Sequence, residues 1–157
     1  MIALRNVIVA RAMDRLFTLQ FANACIPMLR TVFTQVRTHL ESAQRLAAEL
    51  GALGHPASAE KLEIDTKASI DVQRRQSELR ETMKQITALI EPITELGVEV
   101  KAIDGLVDFK SQLGDRVVHL CWKFGEESIS HWHELESGFD GRQPVAEPTA
   151  FEGSLLH

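Results

Sequence analysis

The sequence predicts an α+β protein: a long antiparallel helical hairpin followed by a small four-stranded antiparallel β-meander. Three observations predict it. Apolar residues recur about every 3.5 positions between Leu19 and Leu50 and again between Leu79 and Ile93. Gly51, Gly54 and Pro56 stand between those stretches and turn the chain. After Gly97 the apolar period falls to two, the period of a strand with one buried face.

The first helical stretch carries its seam on Leu19, Ala22, Ile26, Leu29, Phe33, Val36, Leu40, Ala43, Ala47 and Leu50. Thr18 is placed to cap it. Pro27 lies inside the pattern, where it has no N–H to donate and clashes with the preceding turn. A kink, or a short first helix ending near Cys25, is expected. The second stretch is expected to run from about Ser58 to Leu96, with Gly97 just past its end. Its seam is clear at Leu79, Met83, Ile86, Ile90 and Ile93 and sparse at Ile64, Ala68 and Val72. Pro92 should bend its last turn. A short connection makes the helices antiparallel neighbours over residues 18–96, a hairpin roughly 45–55 Å long. Such a hairpin buries one stripe per helix, so the sheet, a second copy of the chain or a protein partner must cover the rest.

In the strand-like region, residues 97–144, Asp104-Gly105 is a two-residue hairpin signal. That turn would set Ala102 against Val107 and Val100 against Phe109 on an apolar face. The other face would pair Lys101 with Asp108 and Glu99 with Lys110. A third strand is expected from Val117 to Phe124, and a fourth from about Ser128 to Leu135.

Composition bounds the function. Hydrophobic residues are 45% and charged residues 25% of the 157, as in a globular soluble protein. No apolar run reaches the roughly 20 residues a bilayer span needs, so no membrane role is expected. Residues 97–157 hold eleven acids against five basic residues, the wrong sign for a nucleic-acid surface. The two cysteines, Cys25 and Cys121, lie far apart, which fits reduced thiols in a cytoplasmic protein. Residues 1–12, MIALRNVIVARA, read as a non-native or disordered extension, with translation starting at Met13. Residues 13–144 read as one α+β domain. Residues 145–157, with Pro148 and Gly153, read as a disordered tail.

Several segments also resemble a known family. FTLQFANACIPML near the start, then GVEVK, GLVDF, LCWKFGE, WHE and GFDGRQP, are similar to the bacterial domain-of-unknown-function 2203 family. The resemblance spans roughly Arg15 to Pro144. It implies a bacterial soluble protein with helices before a small sheet, and it implies no activity. Its motif falls on Gly105, Asp108, Phe109, Cys121, Trp122, Gly125, Glu126, Trp132, His133, Gly138, Phe139, Gly141 and Arg142. His119 and His131 stand where the family usually has an aromatic, and Lys110 where proline is common.

Three constellations carry candidate chemistry. His119, Cys121, His131 and His133 are soft and borderline donors that suit zinc. Ligands two apart share a face of a strand, so each pair is well spaced. Matching Ile129 and Leu135 to the face of Leu120 and Trp122, however, puts the two pairs on opposite faces. No metal or other cofactor is expected on that reading, and Cys121 cannot use His133 as a base. No catalytic residue is assigned. The third set joins Asp108, Glu126, Trp132, His133 and Arg142 as a ligand site for a small anion, with Arg142 on a glycine-flanked loop. The leading expectation is a non-enzymatic interaction or structural module working through the hairpin. The alternative is a small-anion-binding protein or enzyme using the carboxylate–histidine–arginine set.

Overall fold

A computed structural model describes residues 15–58 and 62–154. The extension expected at residues 1–12 lies outside the described residues. The chain divides into two compact units, one made of the chain up to Phe33 and from Ile90 onward, the other of Thr34–Leu89.

The helical period is realised as three helices: α1 (Leu19–Ala24), α2 (Ile26–Ala52) and α3 (Ile70–Glu95). Thr18 caps α1, its Oγ1 accepting from the Phe21 N–H at 3.0 Å. The chain breaks at Cys25, as the proline two positions later requires. Gly97, at φ +96°, ends α3: its N–H reaches the Thr94 carbonyl, and the Val98 N–H reaches that of Ile93. That pair of bonds is the Schellman arrangement, and it needs a residue able to hold positive φ.

The second helix starts twelve residues later than its expected Ser58, at Ile70. Asp65 takes the intervening chain into a turn, accepting from the Lys67 N–H through Oδ1 and from the Ala68 N–H through its carbonyl. Ser69 then caps α3 by accepting from the Val72 N–H. These side-chain bonds compete successfully with a helix whose apolar seam was sparse there. Within Thr34–Leu89, Ala43, Leu46 and Leu50 of α2 form one buried cluster with Val72 and Leu79 of α3. Arg75 of α3 also reaches Glu49 of α2 at 2.9 Å.

The other unit holds one antiparallel sheet. Its strands are β1 (Glu99–Ala102), β2 (Leu106–Leu113), β3 (Arg116–Lys123), β4 (His131–Glu134), β5 (Gln143–Pro144) and β6 (Phe151–Glu152). The order is β1-β2-β3-β4-β5, with β6 added to β2. Six strands therefore replace the expected four. β1 is short and pairs only with the first residues of β2. The far end of that β2 edge is free to pair with Phe151 and Glu152, and the Phe17 N–H bonds to the Lys110 carbonyl. The tail expected to be disordered thus contributes a strand, with Phe151 buried.

The β1–β2 register also departs from expectation. Glu99 faces Asp108 and Val100 faces Val107, but Ala102 faces Leu106, so a bulge falls at Lys101. The Lys101–Asp108 pairing does not form. Glu99 still meets Lys110, at 3.8 Å, across the diagonal. Gly105 holds φ +119°, and a Cβ there would lie 2.5 Å from that of Phe124, so only glycine fits this turn.

One face of the sheet is apolar. Val107, Phe109, Val118, Leu120 and Trp122 are buried there. Phe17 meets Phe109 edge-on at 5.1 Å, and Phe33 of α2 meets Trp122 at 6.4 Å. The opposite face carries the candidate site.

Candidate metal centre

Strand alternation places Asp108 on the face opposite Val107 and Phe109. A tight two-residue turn at Gly114-Asp115 fixes β2 against β3, setting Asp108 opposite Cys121 and Lys110 opposite His119. β4 continues the row: His119 faces His133 and Cys121 faces His131. The cysteine and histidine pairs therefore share one face, which corrects the expectation that they are split. The physical reason is that Ile129 and Leu135 lie outside β4. Ile129 is anchored by its N–H to Asn23 Oδ1 and Leu135 is exposed, so neither reports the strand's orientation.

Asp108, Cys121 and His133 each present one donor atom, all within 4.8 Å of one another. Their exposures are 3%, 0% and 1%, and that of neighbouring His119 is 5%. His133 Nδ1 lies 2.7 Å from the Glu134 carbonyl. A carbonyl only accepts, so Nδ1 carries the proton. The other ring nitrogen, Nε2, lies 3.1 Å from Asp108 Oδ2. A contact of that length places either a proton or a metal cation between the two atoms. A histidine whose other nitrogen is fixed by a backbone carbonyl is the usual form of a metal ligand.

His119 stands beside this group. Its Nδ1 is 3.6 Å from Asp108 Oδ2, its Nε2 is 2.7 Å from Glu99 Oε2, and its ring meets that of His133 edge-on at 5.1 Å. The imidazole holds Glu99 down to about 2, against the cost of burying the carboxylate. Asp108 Oδ1 and both ring nitrogens of His119 are buried without a well-formed hydrogen bond among the described residues. Buried polar atoms are rarely left so, and each needs an explanation. Burial, with the Asp108 carboxylate adding, pushes the Cys121 thiol up to about 12. Without a cation beside it, such a thiol is no nucleophile.

The residues expected to form the anion site fall into three places. Asp108 and His133 meet in the buried cluster. Glu126 and Arg142 form a separate bidentate pair, at 2.7 and 3.0 Å, and the Arg142 guanidinium lies over the Phe139 ring. Their charges act on the Cys121 thiol in opposite senses. Trp132 points to the other face, packing on Phe151 at 6.3 Å. His131, though opposite Cys121, bonds instead to Ser130 through Nδ1 at 2.9 Å. Sequence reasoning set Cys121 and His119 aside and passed over Glu99. Counting outward from Gly114-Asp115 as a two-residue turn would have placed Asp108 against Cys121.

The model of an uncharacterised conserved protein family, DUF2203, matches residues 15–145. The chain belongs to that family. No curated protein and no solved structure matches it. The family match covers every residue of the cluster, from Glu99 to Arg142. It attaches no chemistry to them, so a functional reading rests on the geometry.

Proposed function

We propose that this is a metal-binding protein whose centre is Asp108, Cys121 and His133. The observation that carries this reading is His133, its Nδ1 fixed by a backbone carbonyl, with Nε2 3.1 Å from Asp108 Oδ2 and the Cys121 thiol beside both. The donor set, one sulfur, one imidazole nitrogen and one carboxylate oxygen, suits zinc or a similar first-row divalent ion. Bonds of about 2.0–2.3 Å in a tetrahedron put ligand atoms roughly 3.4–3.7 Å apart. His133 Nε2 and Asp108 Oδ2 are 3.1 Å apart and all three donor atoms lie within 4.8 Å, so small side-chain movements close the site. Metal binding would remove the thiol proton and join Asp108 Oδ2 and His133 Nε2 through one cation. A reducing, cytoplasmic location accords with this reading, because Cys25 and Cys121 are both free thiols. No helix among the described residues is long and apolar enough to cross a membrane.

The test is elemental analysis of protein purified without a polyhistidine tag and equilibrated with zinc. We expect one zinc per chain, lost in Cys121→Ser and Asp108→Asn while both variants keep the fold by circular dichroism. Wild-type protein free of metal after equilibration sinks the reading.

A second reading concerns the helices. The shared cluster of Leu46, Leu50, Val72 and Leu79 supports α2 and α3 as an antiparallel hairpin. Leu53 and Ile70, the latter 80% exposed, leave apolar surface beside it for a second copy or a protein partner. Light scattering that shows only monomer at tens of micromolar removes the self-association part.

A further inference from the structure

The three donors come from β2, β3 and β4 on the face away from the apolar core, and two of them, Asp108 and His133, line a cleft of about 200 Å³. Its floor is Asp108, His119 and His133, and its walls are Lys101, Leu106, Leu135 and Phe139. Resting on the metal reading above, we infer that the centre keeps its fourth coordination position open to this cleft and binds a short-chain monocarboxylate there.

Three observations converge on that ligand. The first is that His119 is not the fourth donor. Its donor atoms fall outside the group of mutually close ones, the nearer nitrogen, Nδ1, lying 3.6 Å from Asp108 Oδ2. A centre with three protein donors and a free position is the form that takes an exogenous ligand, whereas four protein donors close a structural site. The second is charge. The Cys121 thiolate and the Asp108 carboxylate cancel the charge of a divalent ion. Around them Lys101 and Lys110 flank Glu99, at 3.6 and 3.8 Å, leaving one positive charge in excess. A single anionic group brings the site to neutrality. The third is the wall. Leu106, Leu135 and Phe139 give the cleft an apolar side, and Leu135 and Phe139 are large hydrophobic residues left exposed. An aliphatic tail covers them. The volume falls below the roughly 300–1,000 Å³ of sites for drug-sized ligands, which limits the tail to a few carbons.

Cobalt(II) is the probe, because its visible bands report coordination number and ligand exchange in the full-length chain. We expect one cobalt per chain with four-coordinate bands. Titration with acetate and with butyrate should shift those bands saturably, butyrate binding about tenfold tighter for its two extra methylenes. Lys101→Ala should weaken butyrate at least fivefold and leave cobalt stoichiometry unchanged. His119→Gln should retain the cobalt and its bands in the absence of carboxylate. Bands that neither acid moves overturn the inference, as does loss of cobalt from His119→Gln, which would make His119 the fourth ligand. A wild-type chain that takes up no cobalt or zinc fails at the earlier step and overturns the metal reading itself.

Discussion

Strand β2 carries two buried polar residues three positions apart, and they are solved in opposite ways. Ser111 lies on the apolar face, fully buried, and its hydroxyl donates to the Phe17 carbonyl at 2.6 Å. Asp108 lies on the other face, also buried, with Oδ1 unpaired and Oδ2 3.1 Å from His133 Nε2. The apolar face is complete as it stands: aromatic contacts, aliphatic packing, and one polar side chain with its partner in place. The polar face leaves Asp108 Oδ1 buried without a partner beside a cleft of about 200 Å³. Folding alone selects for the first arrangement and penalises the second. The difference separates a face whose polar group is satisfied within the chain from one whose polar groups are not.

The largest effect that sharpens this contrast should come from Trp122→Ala. Trp122 is fully buried, packs on Phe33 and Phe124, and donates its indole N–H to the Glu126 carbonyl. Truncation should cost about 3–5 kcal/mol in urea denaturation. The cost should be the same with and without zinc, because the residue serves the face that is already complete. Trp122→Phe, which keeps most of the ring, should lose less and guards against a variant that does not fold.

Next in size is Asp108→Asn, and its effect should be conditional. In metal-free protein the change keeps the side chain's shape and an oxygen for His133, sheds a buried charge with one unpaired oxygen, and should alter stability by less than about 2 kcal/mol. With zinc at one hundred times its dissociation constant, wild type should gain about 2.7 kcal/mol and the variant nothing. A large loss in metal-free protein would break the contrast, since it would mean that Asp108 is holding the fold together.

Much of this architecture was legible in the sequence, and the parts that were not share a cause. Thr18 as a cap, the break before Pro27 and Gly97 at positive φ are local features, set by neighbours in the chain. They were read correctly because propensity and steric exclusion act over a few residues. The sheet depends on register, where an error of one residue reverses every side chain. The bulge at Lys101 displaced the first pairing, and Ile129 and Leu135, apolar but outside β4, reversed the inferred facing of the histidines. β6 could not be read, because its pairing with β2 depends on β1 being too short to cover that edge. Asp108 and His133 were singled out for the right strand region but assigned to a cluster with Arg142. The structure gives Arg142 to Glu126 instead.

The smallest effect tests whether the two faces are independent. Ser111→Ala removes one buried hydroxyl and leaves the Phe17 carbonyl short of its donor. It should cost about 1–2 kcal/mol, because the lost bond is neutral but the abandoned acceptor is buried. The Ser111 hydroxyl also lies 3.4 Å from the Glu152 carbonyl, so the variant should loosen β6 first. Amide exchange at Phe151 and Glu152 should quicken while exchange in β3 and β4 stays unchanged. The double variant Ser111→Ala with Asp108→Asn, measured with and without zinc, then completes a cycle. Distant sites without shared partners add to within about 0.5 kcal/mol. Additivity in both conditions means that the polar face can bind and release its cation without disturbing the packing behind it. A coupling above about 1 kcal/mol that appears only with zinc would mean that β2 carries the binding event through to the apolar core.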